Sequence, residues 1–147
     1  IAKEVMSLFA GVGVFYVEMF VADDGQVLVN EVAPRPHNSG HYTIEACVTS
    51  QYEQQVRAIT GLPPGDPSLV LPVVMVNLLG TEDADGPAVL TGCEKALALP
   101  GVHLHFYGKK ETRPLRKMGH FTVTAPTLAQ ALSIADEAQK YLLVTAE

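Results

Sequence analysis

The sequence predicts an α+β protein with mostly antiparallel strands, and three observations carry that prediction. "VGVFYVEMFVA" (Val12 to Ala22) and "QVLVNEV" (Gln26 to Val32) are β-branched and aromatic-rich runs separated only by "DDG", the pattern of a hairpin. Later stretches place apolar residues at every third or fourth position, as amphipathic helices do. Between these blocks "LPPGDPSLVLP" (Leu62 to Pro72) concentrates proline and reads as a connector. The expected domains are therefore residues 1–68 and residues 69–147.

Taken in order, "IAKEVMSLFAG" reads as a helix closing at Gly11 and running directly into the first strand. The chain opens at Ile1 with no methionine, basic leader or apolar h-region, so it is expected to be a piece of a longer chain. After the hairpin, "SGHYTIEACVTSQYEQQVRAITG" predicts one or two helices closed by Gly61, with Ile44, Val48, Tyr52, Val56 and Ile59 as the buried stripe. Past the connector, "VVMVNLLG" is a strand, "TEDADGPAV" an acidic loop, "TGCEKALAL" a short helix, "VHLHFYG" a strand and "KMGHFTVTA" another. "TLAQALSIADEAQKYL" is the last helix, capped by Thr127.

Composition narrows the function. With 48% apolar residues in 147, a packed core is within reach. A formal charge of -6 argues against general nucleic-acid or anionic-membrane binding, which need a positive field. The two cysteines, Cys47 and Cys93, form no Cys-x-x-Cys pair, which suits reduced thiols in an intracellular, cytoplasmic protein and excludes zinc-finger chemistry. The longest apolar stretch, near Leu69 to Val76, is broken by Pro72 and too short to cross a bilayer.

If Asp24-Gly25 is a two-residue turn, cross-strand partners have numbers summing to 49, and Glu18 faces Glu31. Tyr16, Phe20, Val29 and Ala33 then share that face. Phe15, Val17, Met19, Val21, Leu28 and Val32 point the other way as a core. Opposed like charges destabilise a sheet by up to about 1 kcal/mol, so a neutralising partner is expected. Mg²⁺ suits the pair because it commonly takes one or two carboxylates and fills its octahedron with phosphate oxygens and water. Two solvated acids, or one acid paired with Arg35, would satisfy the same pattern.

The following stretch, "NEVAPRPHNSGHYTIEAC" (Asn30 to Cys47), is dense in polar chemistry. Pro34 and Pro36 keep Arg35 and His37 extended, so both side chains can project near Glu31. Arg35 offers a planar fork for carboxylate, bicarbonate or phosphate oxygens, and His37 a proton or hydrogen bond near neutral pH. Asn38 and Ser39 fit either helix caps or ligands. His37 and His41, four apart, lack the neighbouring glutamate of a zinc hydrolase, and His103 and His105 read as packing or interface residues. "KKETRPLRK" (Lys109 to Lys117) gathers five of the ten Lys and Arg. It is either a phosphate grip or a solvated loop, with Arg116 stiffened beside a strand by Pro114.

"GVFYVEMF", "EVAPRPHNSGHYTIEACVTSQYEQ" and "RPLRKMGH" resemble the carboxyl-terminal half of the ATP-grasp 5-(carboxyamino)imidazole ribonucleotide synthase family, which includes the front part of eukaryotic phosphoribosylaminoimidazole carboxylase. The match spans nearly the whole chain, and "GCEKALALPG" and "YGKKETRP" lean toward the eukaryotic form. The resemblance implies the end of an ATP-grasp lobe followed by a small α+β domain. It implies a purine-biosynthesis enzyme, a ligase or lyase by classification, that uses ATP and Mg²⁺ to activate bicarbonate and carboxylate aminoimidazole ribonucleotide. Glu18 and Glu31 match its metal acids, with Asn30 and Glu31 on the nucleotide side. Arg35 and His37 match residues at the bicarbonate-derived intermediate. Asn38, Ser39, Lys110, Arg113, Arg116 and Lys117 match the substrate contacts, with Lys109 competing with Lys110. Many ATP-grasp relatives read Glu-x-Asn, whereas Ala33 follows Glu31 here and strict alternation turns Asn30 to the opposite face. The implied partners are the upstream remainder of the same chain and a second copy, with no nucleic acid and no membrane.

A non-catalytic nucleotide- or phosphate-binding regulatory domain of the same fold is the alternative. A nucleic-acid-binding domain built on the basic run is opposed by the paired acids. No Gly-rich phosphate loop or adenine hinge occurs in the sequence, so the 147 residues alone are expected to be inactive.

Overall fold

The computed structural model describes residues 1–147, which divide into two compact units, Ile1–Ser68 and Leu69–Glu147. The first opens with helix α1 (Ala2–Ser7), ending four residues before Gly11. A hairpin of β1 (Tyr16–Val21) and β2 (Val27–Ala33) follows. Then come a 3₁₀ turn at Asn38–Gly40, α2 (Thr43–Ala46) and α3 (Gln51–Ile59).

The hairpin departs from the two-residue turn in two ways that cancel. Asp23, Asp24 and Gly25 form a three-residue loop closed by Ala22 and Gln26, with Gly25 at φ 82°, where a side chain would be strained. Partner numbers therefore sum to 48 near the tip, as in Phe20 with Leu28. A bulge at Asn30 adds one residue to β2 and restores the sum of 49 at Glu18–Glu31, Val17–Val32 and Tyr16–Ala33. Past the bulge the faces of β2 exchange. Leu28, not Val29, shares the Glu18 face.

Expected burial fails in this unit. Met19, Val21 and Leu28 are exposed, because the tip half of the two-stranded ribbon has no second layer over it, whereas Tyr16, Val17 and Glu18 nearer its base are half-buried. The periodic stripe of Ile44, Val48, Tyr52, Val56 and Ile59 is exposed as well. Instead α3 turns its glutamines inward. Gln51 Oε1 accepts the His37 N–H at 2.9 Å, Gln54 pairs with both the N–H and the C=O of Gly65, and Gln55 accepts the Val14 N–H at 2.7 Å. Each amide replaces a missing backbone partner, and the helix is anchored by polar bonds rather than apolar burial.

The second unit is conventional. Antiparallel strands β3 (Val73–Leu79), β5 (Val102–Phe106) and β7 (Lys117–Thr124) form a sheet in the order β3-β7-β5. Strands β4 (Gly86–Thr91), β6 (Glu111–Thr112) and β8 (Leu143–Ala146) form another in the order β6-β4-β8. Helices α4 (Cys93–Leu97) and α5 (Leu128–Tyr141) complete the unit. Phe121, Met118, Val123 and Val144 are fully buried against Leu78, Ala96 and Leu142. Helix α5 approaches through Ala131, Ala135 and Ala138, whose spacing puts three small side chains on one face. Thr127 caps it by accepting the Gln130 N–H. Three strands go beyond the sequence expectation. The end of "TEDADGPAV" belongs to β4, and "LVTA" is β8, paired to it residue by residue. Strand β6, within the basic run, pairs Glu111 and Thr112 with the start of β4.

Candidate active site

The bulge determines which polar groups meet. Glu18 and Glu31 are direct cross-strand partners, and the extra residue swings Asn30 back so that its amide donates to Glu18 Oε1 at 2.5 Å. Asn30 thus sits with Glu18, contrary to the alternation rule, because a bulge resets the side-chain period. No ion pair joins either acid to Arg35. The Arg35 Nη1 instead donates to the Pro36 carbonyl at 3.0 Å, and the exposed guanidinium keeps its other N–H groups available.

His37 completes the cluster. Its ring stacks on Tyr16 with centroids 3.9 Å apart and planes within 8°, and its Nε2 lies 3.6 Å from Glu31 Oε1. The Ser39 N–H donates to His37 Nδ1 at 3.2 Å, so His37, rather than Asn38 or Ser39, caps the 3₁₀ turn. A ring that accepts at Nδ1 carries its proton on Nε2, the nitrogen facing Glu31. Asn38 is half-buried in the turn and Ser39 is exposed.

The loop is locked from below by Gln51, which sequence periodicity assigned only to a helix. Its Oε1 accepts from His37 N–H, its Nε2 donates to His37 C=O at 2.9 Å, and the same nitrogen lies 2.9 Å from His41 Nδ1. Thr43 Oγ1 donates to the Gly40 carbonyl at 2.6 Å and accepts the Gln51 N–H at 2.9 Å. A Cβ on Gly40 would overlap Gln51 Oε1. The recognisable signal was a glutamine opening a helix shortly after a loop that holds two histidines, His37 and His41, around Gly40. His41 is occupied by Gln51 and by the Tyr52 hydroxyl at 3.0 Å, whose proton burial holds more tightly than in an ordinary tyrosine.

The basic run lies in the second unit. It starts before β6 and ends at the first residue of β7. Lys109 Nζ donates to the Lys117 carbonyl at 2.5 Å and sits 5.7 Å over the Tyr107 ring, while Lys110 is exposed. Arg116 is half-buried, and its Nη1 donates to the Glu111 carbonyl at 2.9 Å. The turn is pinned to Gly80, whose carbonyl accepts the Leu115 N–H and whose N–H donates to the Arg116 carbonyl, both at 3.0 Å. These bonds hold Leu115 at φ 60°. Arg113 and Lys117 are exposed. His105 stacks on buried His120 at 4.5 Å, a packing role.

No group of three or more His, Cys, Asp or Glu side chains gathers anywhere. Two opposed, accessible carboxylates are nevertheless a donor set that fits Mg²⁺, which takes its other ligands from water and phosphate.

Residues 1–52 match the ATP-grasp domain, and residues 73–134 match the phosphoribosylaminoimidazole carboxylase C-terminal domain. The phosphoribosylaminoimidazole carboxylase of Schizosaccharomyces pombe is 50% identical over 129 residues, covering 84% of this chain and 23% of the fission-yeast protein. The crystal structure of N5-carboxyaminoimidazole ribonucleotide synthetase from Thermotoga maritima superposes with a TM-score of 0.92 at 59% identity, over 99% of this chain and 41% of that one. The Aspergillus clavatus N5-carboxyaminoimidazole synthase in complex with ADP and 5-aminoimidazole ribonucleotide gives 0.81 at 38% identity, over 95% of this chain and 37% of that one. The chain thus spans less than half the length of each.

Proposed function

Because the chain belongs to the family of ATP-grasp N5-carboxyaminoimidazole ribonucleotide synthases and phosphoribosylaminoimidazole carboxylases, we propose that it supplies the metal acids and substrate loop of an enzyme that carboxylates aminoimidazole ribonucleotide at the expense of ATP. The observation that carries this reading is the Glu18–Glu31 cross-strand pair with His37 against the same carboxylate. A bicarbonate oxygen attacks the γ-phosphorus of ATP and ADP leaves. The substrate amine then attacks the carboxyl carbon, phosphate leaves, and the amine gives up a proton.

Glu18 and Glu31 would hold Mg²⁺, which neutralises charge on the ATP phosphates. Asn30 orients Glu18 and, with Glu31, faces the nucleotide. The free N–H groups of Arg35 suit the oxygens of the bicarbonate-derived intermediate, and the Nε2–H of His37 offers a donor beside Glu31. Asn38 and Ser39 contact the substrate, while Lys110, Arg113, Arg116 and Lys117 bind its phosphate. Lys110 is preferred to Lys109, whose ammonium is already engaged. The working protein is taken to be a cytoplasmic homo-oligomer completed by further residues of the same polypeptide. No helix is long and apolar enough to cross a membrane.

The test is ADP release by the intact polypeptide with ¹⁴C-bicarbonate. Release that requires both bicarbonate and aminoimidazole ribonucleotide, with label in the product, is expected. Nucleotide binding without turnover would replace this reading with a regulatory nucleotide-binding domain.

A further inference from the structure

Resting on the reading that His37 works beside the metal acids, we infer that Gln51 is a positioning residue that sets the His37 ring for its task. Gln51 is 9% exposed, and its carboxamide makes a two-point clamp on the His37 backbone, one bond to the N–H and one to the C=O. A backbone N–H can only donate and a carbonyl can only accept, so the orientation of the amide is fixed. Its second N–H then faces His41 Nδ1 at 2.9 Å and imposes an acceptor role on that nitrogen.

Two features separate this clamp from ordinary helix anchoring. Gln54 and Gln55 of the same helix bond Gly65 and Val14, neither of which bears a functional side chain. Gln51 alone of the three grips a residue with a titratable ring. The surroundings are also shaped around it: Gly40 leaves the room a Cβ would fill, and Thr43 ties the Gly40 carbonyl to the Gln51 N–H. With the backbone of His37 held at both polar groups, the Ser39 N–H stays aimed at Nδ1, and the proton stays on Nε2, 3.6 Å from Glu31. Without the clamp, the loop loses the frame that fixes both the ring position and its tautomer.

The experiment uses the intact polypeptide with Gln51→Leu, Gln51→Glu, His37→Ala and the Gln51→Leu/His37→Ala double variant. Histidine ¹⁵N spectra identify the His37 signals by their loss in His37→Ala. Gln51→Leu should replace the single Nε2–H form of His37 with a tautomer mixture and lower kcat at least tenfold, with KM for ATP within twofold. Gln51→Glu keeps the acceptor but not the donor, so its kcat should fall between wild type and Gln51→Leu. In the His37→Ala background, Gln51→Leu should reduce kcat less than threefold further. Unchanged His37 signals in a folded Gln51→Leu or Gln51→Glu protein would overturn the inference, and so would kcat losses that multiply in the double variant. If His37→Ala turns over normally, the functional reading of His37 fails, and the ¹⁵N spectra alone decide whether Gln51 positions the ring.

Discussion

The two units are held together by different forces. Residues 69–147 bury Phe121, Met118, Val123, Val144, Leu78 and Leu142 in one continuous apolar cluster. In residues 1–68 the only buried apolar side chains are Ala33 and Ala46, while Phe20, Val21, Val48, Val56 and Ile59 stay exposed. What organises that unit is side-chain amide and hydroxyl bonding to backbone, from Gln51, Gln54, Gln55 and Thr43. Apolar packing tolerates small displacements, whereas hydrogen bonds fix direction. The unit bearing the paired acids relies on the directional device throughout, whereas the unit bearing the basic loop has an apolar core and uses backbone bonds to Gly80 to fix the loop itself.

Truncation in the core should give the largest effect. Phe121→Ala should destabilise the second unit by about 3–5 kcal/mol, read from denaturant midpoints, since a fully buried ring is lost and a cavity remains. A loss under about 1 kcal/mol would deny that burial dominates there. Next is the basic loop. Arg116→Ala should raise KM for the ribonucleotide at least tenfold and leave KM for ATP nearly unchanged, as loss of a charge-assisted contact costs about 1.5–3 kcal/mol. Equal losses for both ligands would indicate general damage.

Smaller effects test the polar unit. Gln54→Leu strands both polar groups of half-buried Gly65 and should cost about 1–3 kcal/mol, whereas Val56→Ala should fall within about 0.5 kcal/mol. The reverse order would break the contrast between the units. The smallest effect is electrostatic. Hydrogen bonds from the Ser68 hydroxyl and N–H hold the exposed Asp66 carboxyl below its usual value near 3.8. A lowered folded-state value stabilises the fold above the unfolded value, and that support fades as pH falls through the folded one. Asp66→Asn should therefore flatten stability slightly only below about pH 4, as seen by acid titration of the midpoint.

Much of the second unit was legible because its elements follow the simple periods: "VHLHF" and the "HFTVT" of β7 alternate, and the α5 stripe repeats at helical spacing. Strand β8 escaped notice because four residues after a long helix carry little periodic signal of their own. In the first unit the Glu18–Glu31 pairing was read correctly for a partly wrong reason, since the longer turn and the bulge offset one another. The glutamine face of α3 was invisible to a rule that assigns the apolar stripe to the interior. Tyr52, Val56 and Ile59 satisfy that rule perfectly and still face outward.

The central claim is that the opposed carboxylates of the hairpin hold the metal that ATP requires. Bicarbonate-dependent ADP release by the intact polypeptide, measured across a Mg²⁺ titration for wild type, Glu18→Gln and Glu31→Gln, tests it most directly. Either variant should keep its circular dichroism spectrum and lose turnover, with any residual rate shifted to higher Mg²⁺. Normal turnover with an unshifted Mg²⁺ dependence in Glu31→Gln would contradict it.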